Sequence, residues 1–386
     1  MRQTIRLLLV FALAGIAMAQ ESLNVRLVGR CPIVEGVSGV ALGGDYAYVV
    51  GGGYGLRVVS VTDPAGPFVV GQCQVGGGGS GVAVNGGYAY VATADSGLQV
   101  ISVADPASPS EVGRCGTPGR AFGVAVAGDH AYVVDDSSVL RVIDVADPAH
   151  PVDVGHCDIP SQPFAWGVAV SGEYAYVADL DSGLRVIHVA DPAHPAEVGH
   201  FDTPSVASGV VVVGEHAYVA CDACLAAISI ADPAHPVEVG FINLVGPSQD
   251  VGVTGDIAYV ASLVLRVVSI ADPANPLEVG HYVDPLHGPY RVVAHDGYAY
   301  TGEGGSYARL GIYQYYTVGV EESHKPQATS YKLAATVVRS LPRGAVAFDA
   351  MGRRVVNPRP GVYFVRSEPS AVSRQPTAVT KVIISR

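Results

Sequence analysis

Histidine and aspartate stand close together in a short stretch that recurs along the chain. In the copy IADPAHPVEVG, residues 230–240, Asp232 is followed three positions later by His235, an arrangement that could form a site or a turn. Across six copies, the histidine position holds residues of very different chemistry: Gly66, Ser108, His150, His194, His235 and Asn275. A position that accepts glycine performs no shared chemistry, and Asp followed by Pro favours a turn. The sequence therefore predicts a turn.

The six cysteines could bind a metal or form disulfides. Cys221 and Cys224 form a C-x-x-C pair, to which a zinc site would have to add further ligands. A local disulfide or two plain thiols are therefore the favoured interpretations. The other four recur every 42 residues, at a position that later copies fill with Phe, Ile or Tyr: Cys31, Cys73, Cys115 and Cys157. Because free cysteine behaves as a small apolar residue, we predict four thiols that pack in the core.

Acidic hairpins could supply the oxygen ligands that calcium prefers. The candidates are Asp179 and Asp181 in the segment DLDSG, for which a solvated acidic turn is the favoured explanation. The chain has no G-x-S-x-G, H-E-x-x-H, phosphate-loop or complete EF-hand pattern. We therefore predict no catalytic residue, and no cofactor unless this hairpin binds calcium.

These residues belong to an internal repeat. An Ala-Tyr pair recurs in seven copies of a unit of about 42 residues, and its tyrosines are Tyr48, Tyr90, Tyr132, Tyr176, Tyr218, Tyr259 and Tyr300. Each copy contains four short apolar segments separated by Gly, Ser, Asp and Pro, which is the pattern of β-strands and turns. Four strands in a repeat of this length are typical of a propeller blade, whereas the coils of a β-helix are usually shorter.

The two ends of the repeat array are complementary. The seventh copy ends after three strands, and residues 24–33 match the missing fourth strand in register. An N-terminal strand that completes the last blade would close the ring and cover its exposed edge. The predicted fold class is all-β: a seven-bladed β-propeller closed by an N-terminal strand, followed by a small C-terminal β-sandwich.

Candidate binding residues are those that depart from the repeat at the start of the innermost strand. Five copies have glycine there, whereas the sixth and seventh have Asp250 and Arg291. The preceding position adds the large or polar side chains Phe122, Trp166, Gln249 and Tyr290. One interpretation is that Asp250 and Arg291 pair to fill space while the aromatic rings pack between blades. The other is a ligand site at the mouth of the central channel.

The segments LRVIDVADPAHP (140–151) and LRVIHVADPAHP (184–195) resemble the LVIVD repeat of exported bacterial and archaeal propeller proteins. The resemblance covers about residues 24–316 and includes both the apolar strand and the Asp-Pro turn. It implies a β-propeller at the cell surface, and it brings no catalytic motif with it.

Both ends of the chain indicate export. Residues 1–19 combine two arginines, a short apolar run and an Ala-Met-Ala cleavage site, which predicts a signal peptide. The propeller is assigned to 20–316, a linker to 317–330 and a C-terminal domain to 331–386. The motifs DAMGRRV, GVYFVR and KVIISR resemble the C-terminal sorting domain of the type IX secretion system. That resemblance implies contact with secretion machinery, whereas an ordinary accessory β-domain is the alternative.

The charge distribution restricts the partners. Residues 20–316 carry a net charge of −21 and no lysine, whereas 317–386 carry +7. An acidic body disfavours nucleic acid as a partner, because phosphate binding needs a basic surface. No stretch after the signal peptide is apolar enough to span a membrane. We expect a secreted or surface-displayed binding or scaffold propeller whose partner is an extracellular glycan, a peptide or a surface protein. The alternative is a secreted polysaccharide hydrolase or lyase that uses two carboxylates of the channel face.

Overall fold

The structure is a computed structural model. It describes residues 22–33, 36–137, 140–158, 165–284, 286–304 and 308–316, and the backbone of five further strands between 336 and 384. The chain divides into two compact units, residues 1–319 and 320–386. The predicted signal peptide and most of the predicted linker and C-terminal domain lie outside the described residues.

The first unit is built from 28 described strands. In chain order they are β1 (Val25–Pro32), β2 (Gly39–Gly43), β3 (Tyr46–Gly51), β4 (Gly55–Ser60), β5 (Phe68–Cys73), β6 (Gly79–Asn85), β7 (Tyr88–Thr93), β8 (Gly97–Ser102), β9 (Ser110–Cys115), β10 (Ala121–Ala127), β11 (His130–Asp135), β12 (Leu140–Asp144), β13 (Val152–Cys157), β14 (Gly167–Ser171), β15 (Tyr174–Ala178), β16 (Leu184–His188), β17 (Ala196–Phe201), β18 (Ala207–Val213), β19 (His216–Cys221), β20 (Cys224–Ser229), β21 (Val237–Asn243), β22 (Asp250–Thr254), β23 (Ile257–Ala261), β24 (Leu265–Ser269), β25 (Leu277–Tyr282), β26 (Pro289–His295), β27 (Tyr298–Glu303) and β28 (Arg309–Tyr315).

These strands form seven four-stranded sheets, so the predicted all-β, seven-bladed propeller is confirmed. Blades 1 to 6 are β2–β5, β6–β9, β10–β13, β14–β17, β18–β21 and β22–β25 in sequence order. The innermost strands contact one another in a cycle, from β2 through β6, β10, β14, β18 and β22 to β26, and β26 contacts β2. Because this cycle is complete, the innermost strands surround a central channel.

Blade 7 combines the two ends of the repeat array. Its sheet has the order β1-β28-β27-β26, with β1 on the outer edge. β1 runs antiparallel to β28, with Val25 opposite Tyr315 and Pro32 opposite Arg309. An ion pair joins Arg30 of β1 to Asp284, at 2.6 Å between Nη2 and Oδ2.

The core lies between adjacent blades. The two middle strands of each blade are covered on both faces by neighbouring blades, which explains why the Ala-Tyr pairs and the following valines are buried. Seven apolar clusters follow one another around the ring. Such continuous apolar runs in the middle strands are expected when both faces of a sheet are buried.

The Asp-Pro stretch is a turn between the third and fourth strands, as predicted. In the copy at residues 230–240, the Ala234 N–H donates to Asp232 Oδ1 at 3.1 Å. The backbone N–H of His235 donates to the Asp232 carbonyl at 3.0 Å. All six copies repeat both bonds. The histidine ring is exposed, and its Nδ1 lies 2.9 Å from Asp232 Oδ2, so it adds a surface contact to the turn.

The same turn forms the joint between blades at the outer rim. A Cβ atom on Gly113 of β9 would lie only 2.2 Å from the carbonyl oxygen of Pro148 in the next blade. Equivalent contacts occur at Gly71, 2.1 Å from Pro106 O, and at Gly29 of β1, 2.1 Å from Pro64 O. The glycine of each Val-Gly pair is therefore required because two backbones approach more closely than any side chain permits.

The cysteines follow the prediction for the core positions. Cys31, Cys73, Cys115 and Cys157 are free, the first and last of them buried and the other two half-buried. Cys221 and Cys224 form a disulfide across the β19–β20 hairpin, with Cα atoms 5.0 Å apart. The disulfide removes both sulfurs from consideration as zinc ligands.

The second unit contains five described strands in one sheet of order β29-β33-β32-β30-β31. Their bounds are β29 (Thr336–Val338), β30 (Val346–Phe348), β31 (Arg354–Val355), β32 (Gly361–Arg366) and β33 (Val379–Ile384). β29 and β33 are parallel and the other pairs are antiparallel. The predicted β-sandwich, which needs a second sheet, remains a prediction. Across both units, none of the described residues belongs to a helix long and apolar enough to cross a membrane.

Candidate ligand site at the channel mouth

Glycine lies within the first three residues of the innermost strand in blades 1 to 5 because the backbones of adjacent blades meet there. A Cβ atom on Gly81 would lie 2.7 Å from the carbonyl oxygen of Phe122 and 3.2 Å from the Cα of Gly123. A Cβ atom on Gly123 would lie 2.5 Å from the carbonyl oxygen of Trp166. A larger residue at this position therefore has to form favourable contacts with the next blade. In blades 6 and 7, Asp250 and Arg291 do so through hydrogen bonds to its backbone.

Asp250 of blade 6 bonds to the backbone of blade 7. Its Oδ2 accepts the Val292 N–H at 3.0 Å, and its Oδ1 accepts the Val251 N–H at 2.9 Å. The side chain is partly accessible from the channel, although protein surrounds it on its other sides. Burial raises the pKa of Asp250 above its ordinary value, while the charge of Arg291 and the two N–H groups act in the opposite direction.

Arg291 of blade 7 bonds to the backbone of blade 1. Its Nε donates to the Ser38 carbonyl at 2.7 Å, which again joins one blade to the next. The described ion pairs within 4.0 Å do not include one between Arg291 and Asp250. Each of the two residues bonds to the backbone of the following blade, and the interaction between them is the electrostatic one through which Arg291 lowers the pKa of Asp250.

Aromatic rings and the Arg291 guanidinium meet across the mouth. Phe122 of blade 3 and Trp166 of blade 4 stack with their centroids 6.0 Å apart and their planes 8° from parallel. The guanidinium carbon of Arg291, from the opposite side of the ring, lies 5.9 Å from the centroid of Trp166. Trp166 is 37% exposed and Tyr290 is 45% exposed. The stacking of Phe122 on Trp166 agrees with the interpretation that aromatic rings pack between blades, and both Trp166 and Tyr290 remain partly accessible beside that packing.

Two cavities occupy the axis of the ring. The inner cavity, here called the channel, has a volume of about 330 Å³ and is lined by the innermost strands of all seven blades, with Asp250 among its residues. The outer cavity, here called the cup, has a volume of about 470 Å³. The cup is lined by Val37, Ser38, Ser80, Phe122, Trp166, Gln249, Tyr290 and Arg291. Ser80, Phe122, Trp166 and Arg291 line both cavities, so the cup and the channel adjoin at these four residues.

The structure thus brings the predicted site residues together. Phe122, Trp166, Gln249, Tyr290 and Arg291 line the cup, and Asp250 lies on the channel side. The sequence places Ser38 and Ser80 at the same position of the repeat, but they were not among the predicted binding residues because their side chains are small. The prediction also omitted Arg120, whose guanidinium carbon lies 5.7 Å from the centroid of the Phe122 ring.

The favoured interpretation of the DLDSG hairpin, a solvated acidic turn, is wrong for Asp179. Asp179 is only 2% exposed, and its Oδ2 accepts a hydrogen bond from Arg185 Nε at 2.5 Å. Asp181 is exposed. Because an arginine binds the carboxylate of Asp179, the hairpin does not present the two carboxylates together. Throughout the described ranges, no group of three or more His, Cys, Asp and Glu side chains could hold a metal ion.

Buried ion pairs of this kind recur, and the sequence analysis missed them. Arg141 binds Asp135 at 2.8 Å and Asp153 at 2.9 Å, and Arg185 also binds Glu197 at 3.0 Å. In each case the arginine lies six residues after one acid and twelve before the next. That spacing was visible in the repeat and could have identified these hairpin acids as structural. Their carboxylates neutralise buried arginines, which is necessary for an arginine to be buried.

Comparison with known proteins agrees with this architecture. The β-propeller domain of Cps50 (Swd1) from Myceliophteria thermophila superposes with a TM-score of 0.61 at 11% sequence identity, covering 75% of this chain and 99% of that one. The computationally designed protein Ika8 superposes with a TM-score of 0.55 at 7% identity, covering 74% and 99%. At these identities the likeness concerns the fold alone. No curated protein matches the sequence significantly.

The model of the LVIVD repeat matches six successive segments of this chain: residues 36–75, 76–117, 118–159, 164–203, 205–243 and 245–284. Together they cover blades 1 to 6 and more than half of the sequence. The protein therefore belongs to the LVIVD repeat family.

Proposed function

We propose that this protein is an exported binding propeller that captures its ligand in the cup. The observation that carries the proposal is the exposure of Trp166 and Tyr290 beside Arg291 in a cavity of about 470 Å³. Aromatic faces and a small number of polar groups in a concave site are typical of ligand binding. The LVIVD repeat itself supports a binding or scaffold role.

Export to the outside of the cell is part of the proposal. It rests on the signal-peptide pattern of residues 1–19 and on the resemblance of residues 331–386 to type IX sorting domains. The five-stranded sheet of the second unit supports a β-domain there. The proposed β-sandwich would contact the secretion machinery, and the ligand would be an extracellular glycan, peptide or surface protein.

We also infer that β1 closes the ring of the protein in solution. The inference is supported by the pairing of β1 with β28 and by the contact of Gly29 with the Pro64 carbonyl of blade 1. A ring joined in this way leaves no unpaired strand edge between its first and last blades.

A polysaccharide hydrolase is the less supported candidate. Hydrolysis of a glycosidic bond usually needs two carboxylates, about 5–10 Å apart. Of the described residues that line the cup or the channel, only Asp250 has a carboxylate, and both of its oxygens accept backbone N–H groups. This arrangement favours binding over hydrolysis.

The proposal is tested by screening the mature protein against arrays of glycans, peptides and outer-surface proteins. Trp166→Ala and Tyr290→Ala should each weaken the captured interaction at least about tenfold, which corresponds to about 1.4 kcal/mol. Phe68→Ala is the matched control, because Phe68 is an exposed aromatic residue on the outer strand β5. Thermal melts must show that all three variants fold. If a captured ligand binds both cup variants as tightly as the wild type, the cup is not the site.

A further inference from the structure

The cup differs in charge from the body that contains it. Residues 20–316 carry a net charge of −21, yet none of the described residues that line the cup is an aspartate or a glutamate. Arg291 supplies the one permanent charge among these lining residues. Beyond about 8 Å, physiological salt screens most of the field of the surrounding acids. A ligand in the cup therefore meets the charge of one arginine, and the carboxylate that interacts with this arginine, that of Asp250, lies on the channel side.

The Arg291 guanidinium has donors left for a ligand. Its Nε is engaged by the Ser38 carbonyl, which fixes the orientation of the group. Its two terminal nitrogens make no hydrogen bond to any residue that the structure describes. The described hydrogen bonds of the Asp250 carboxylate come from the Val251 and Val292 N–H groups, and none of them comes from Arg291. The two terminal nitrogens of an arginine match the two oxygens of a carboxylate.

The other walls of the cup suit a saccharide ring. Phe122 and Trp166 stack on each other with nearly parallel planes, and the Arg291 guanidinium lies over Trp166, so the accessible parts of the two rings form an apolar wall beside the guanidinium. Ser38, Ser80 and Gln249 supply hydroxyl and amide groups around this wall. A pyranose has an apolar C–H face bordered by hydroxyl groups, and it can place that face on an aromatic ring while its hydroxyls bind polar side chains.

We propose that the cup binds an acidic saccharide, with the carboxylate of a uronic acid on Arg291 and its ring against the aromatic side chains of the cup, Phe122, Trp166 and Tyr290. This inference rests on the proposed function, because it names the ligand class of the same cavity. It distinguishes uronate-bearing glycans from neutral glycans, which lack the charged group, and from peptides, which lack the pyranose face.

The test compares two probes with the same saccharide rings, one with free carboxylates and one in which each carboxylate is a neutral methyl ester. Calorimetry measures the binding of trigalacturonate and of its fully methyl-esterified, neutral form to the mature protein. We expect the wild type to prefer the acid at least tenfold, and Arg291→Gln to lose that preference. Arg291→Lys should retain a reduced preference for the acid, because lysine keeps the positive charge but cannot donate two parallel hydrogen bonds to a carboxylate. Arg114→Gln is the control, since Arg114 is an exposed arginine of the outer strand β9.

The outcomes separate this inference from the proposed function. Equal binding of both probes, weakened by Trp166→Ala, would overturn the carboxylate contact and leave the cup as the ligand site. Binding of a tripeptide with a free C-terminal carboxylate, without binding of trigalacturonate, would overturn the saccharide assignment. Failure of trigalacturonate to bind, together with a captured ligand that is insensitive to Trp166→Ala, would refute both proposals. Because the wild-type comparison needs no variant, a folding defect in Arg291→Gln cannot obscure the result.

Discussion

Replacing Gly29 by alanine adds a single methyl group at the joint between β1 and blade 1. The added Cβ would lie 2.1 Å from the carbonyl oxygen of Pro64 and 2.9 Å from Cδ of Pro67. An ordinary van der Waals contact at such a Cβ is 3.4–4 Å. The two backbones must therefore separate by more than an ångström, and neither partner atom belongs to a flexible side chain that could turn away.

The expected loss of stability follows from this overlap. Overpacking usually costs about 1–3 kcal/mol, and a clash with backbone belongs at the upper end of that range. Alanine restricts the unfolded chain more than glycine does, which returns about 0.4–1 kcal/mol. We expect a net loss of about 2 kcal/mol, or a fall in the melting temperature of about 4–8 °C.

Two further substitutions make the measurement specific. Gly113→Ala should cost the same, because its Cβ would lie 2.2 Å from Pro148 O at a joint inside the array. Gly66→Ala should change stability by less than about 0.5 kcal/mol, because its nearest neighbour would be 3.4 Å away. Thermal melts monitored by circular dichroism give the melting temperatures of all three variants. A silent Gly29→Ala beside a damaging Gly113→Ala would refute the placement of β1 in the ring, and silence at both would refute the joint itself.

Three other predictions concern the same architecture. Deleting residues 20–33 should expose the edge of β28, so that the truncated protein melts lower or oligomerises in size-exclusion chromatography; a monomer with wild-type melting would contradict this. Asp284→Asn should cost about 2 kcal/mol at pH 7, whereas Asp181→Asn should cost almost nothing. Burial raises the pKa of Asp284, but the combined effect of a backbone N–H and two arginines is larger and in the opposite direction, so the pKa lies below its ordinary value. The stability that the Asp284 carboxylate contributes is therefore fully present above about pH 4 and is lost as the pH falls through the lowered pKa of the folded protein. Urea titrations at several pH values measure the difference in unfolding free energy between the wild type and Asp284→Asn, and a difference that stays constant with pH would contradict this sign. Arg185→Met should cost about 3 kcal/mol, since it removes the arginine from the buried carboxylate of Asp179, and an unchanged urea midpoint would show that this ion pair is dispensable.

The blade count and the turns were predictable because their determinants are local. The short apolar segments and the turn residues between them recur with the repeat. The Asp-Pro turn is specified by the hydrogen bonds that Asp232 accepts from residues within three positions of it. The comparison of copies also identified the correct exceptions, because Asp250 and Arg291 break a column of glycines.

The details that escaped prediction depend on contacts between blades. Whether Asp250 bonds to Arg291 or to the Val292 N–H is decided by the spacing of adjacent innermost strands, which no local pattern contains. The same holds for Gly113, because the contact that requires glycine there is with a carbonyl oxygen of the following blade. Asp179 was expected on an accessible hairpin, yet its arginine partner lies on the next strand and holds it in the interior.

Trp166 offers the most direct test of the central claim that the cup binds the ligand. It is the only tryptophan of the chain, so tryptophan fluorescence reports on this cavity alone. Titrating the ligand captured by the arrays should change the emission of Trp166 in a saturable way, with the same dissociation constant as calorimetry, and should protect it from iodide quenching. Saturable binding by calorimetry with unchanged emission and unchanged quenching would place the ligand elsewhere and contradict the account.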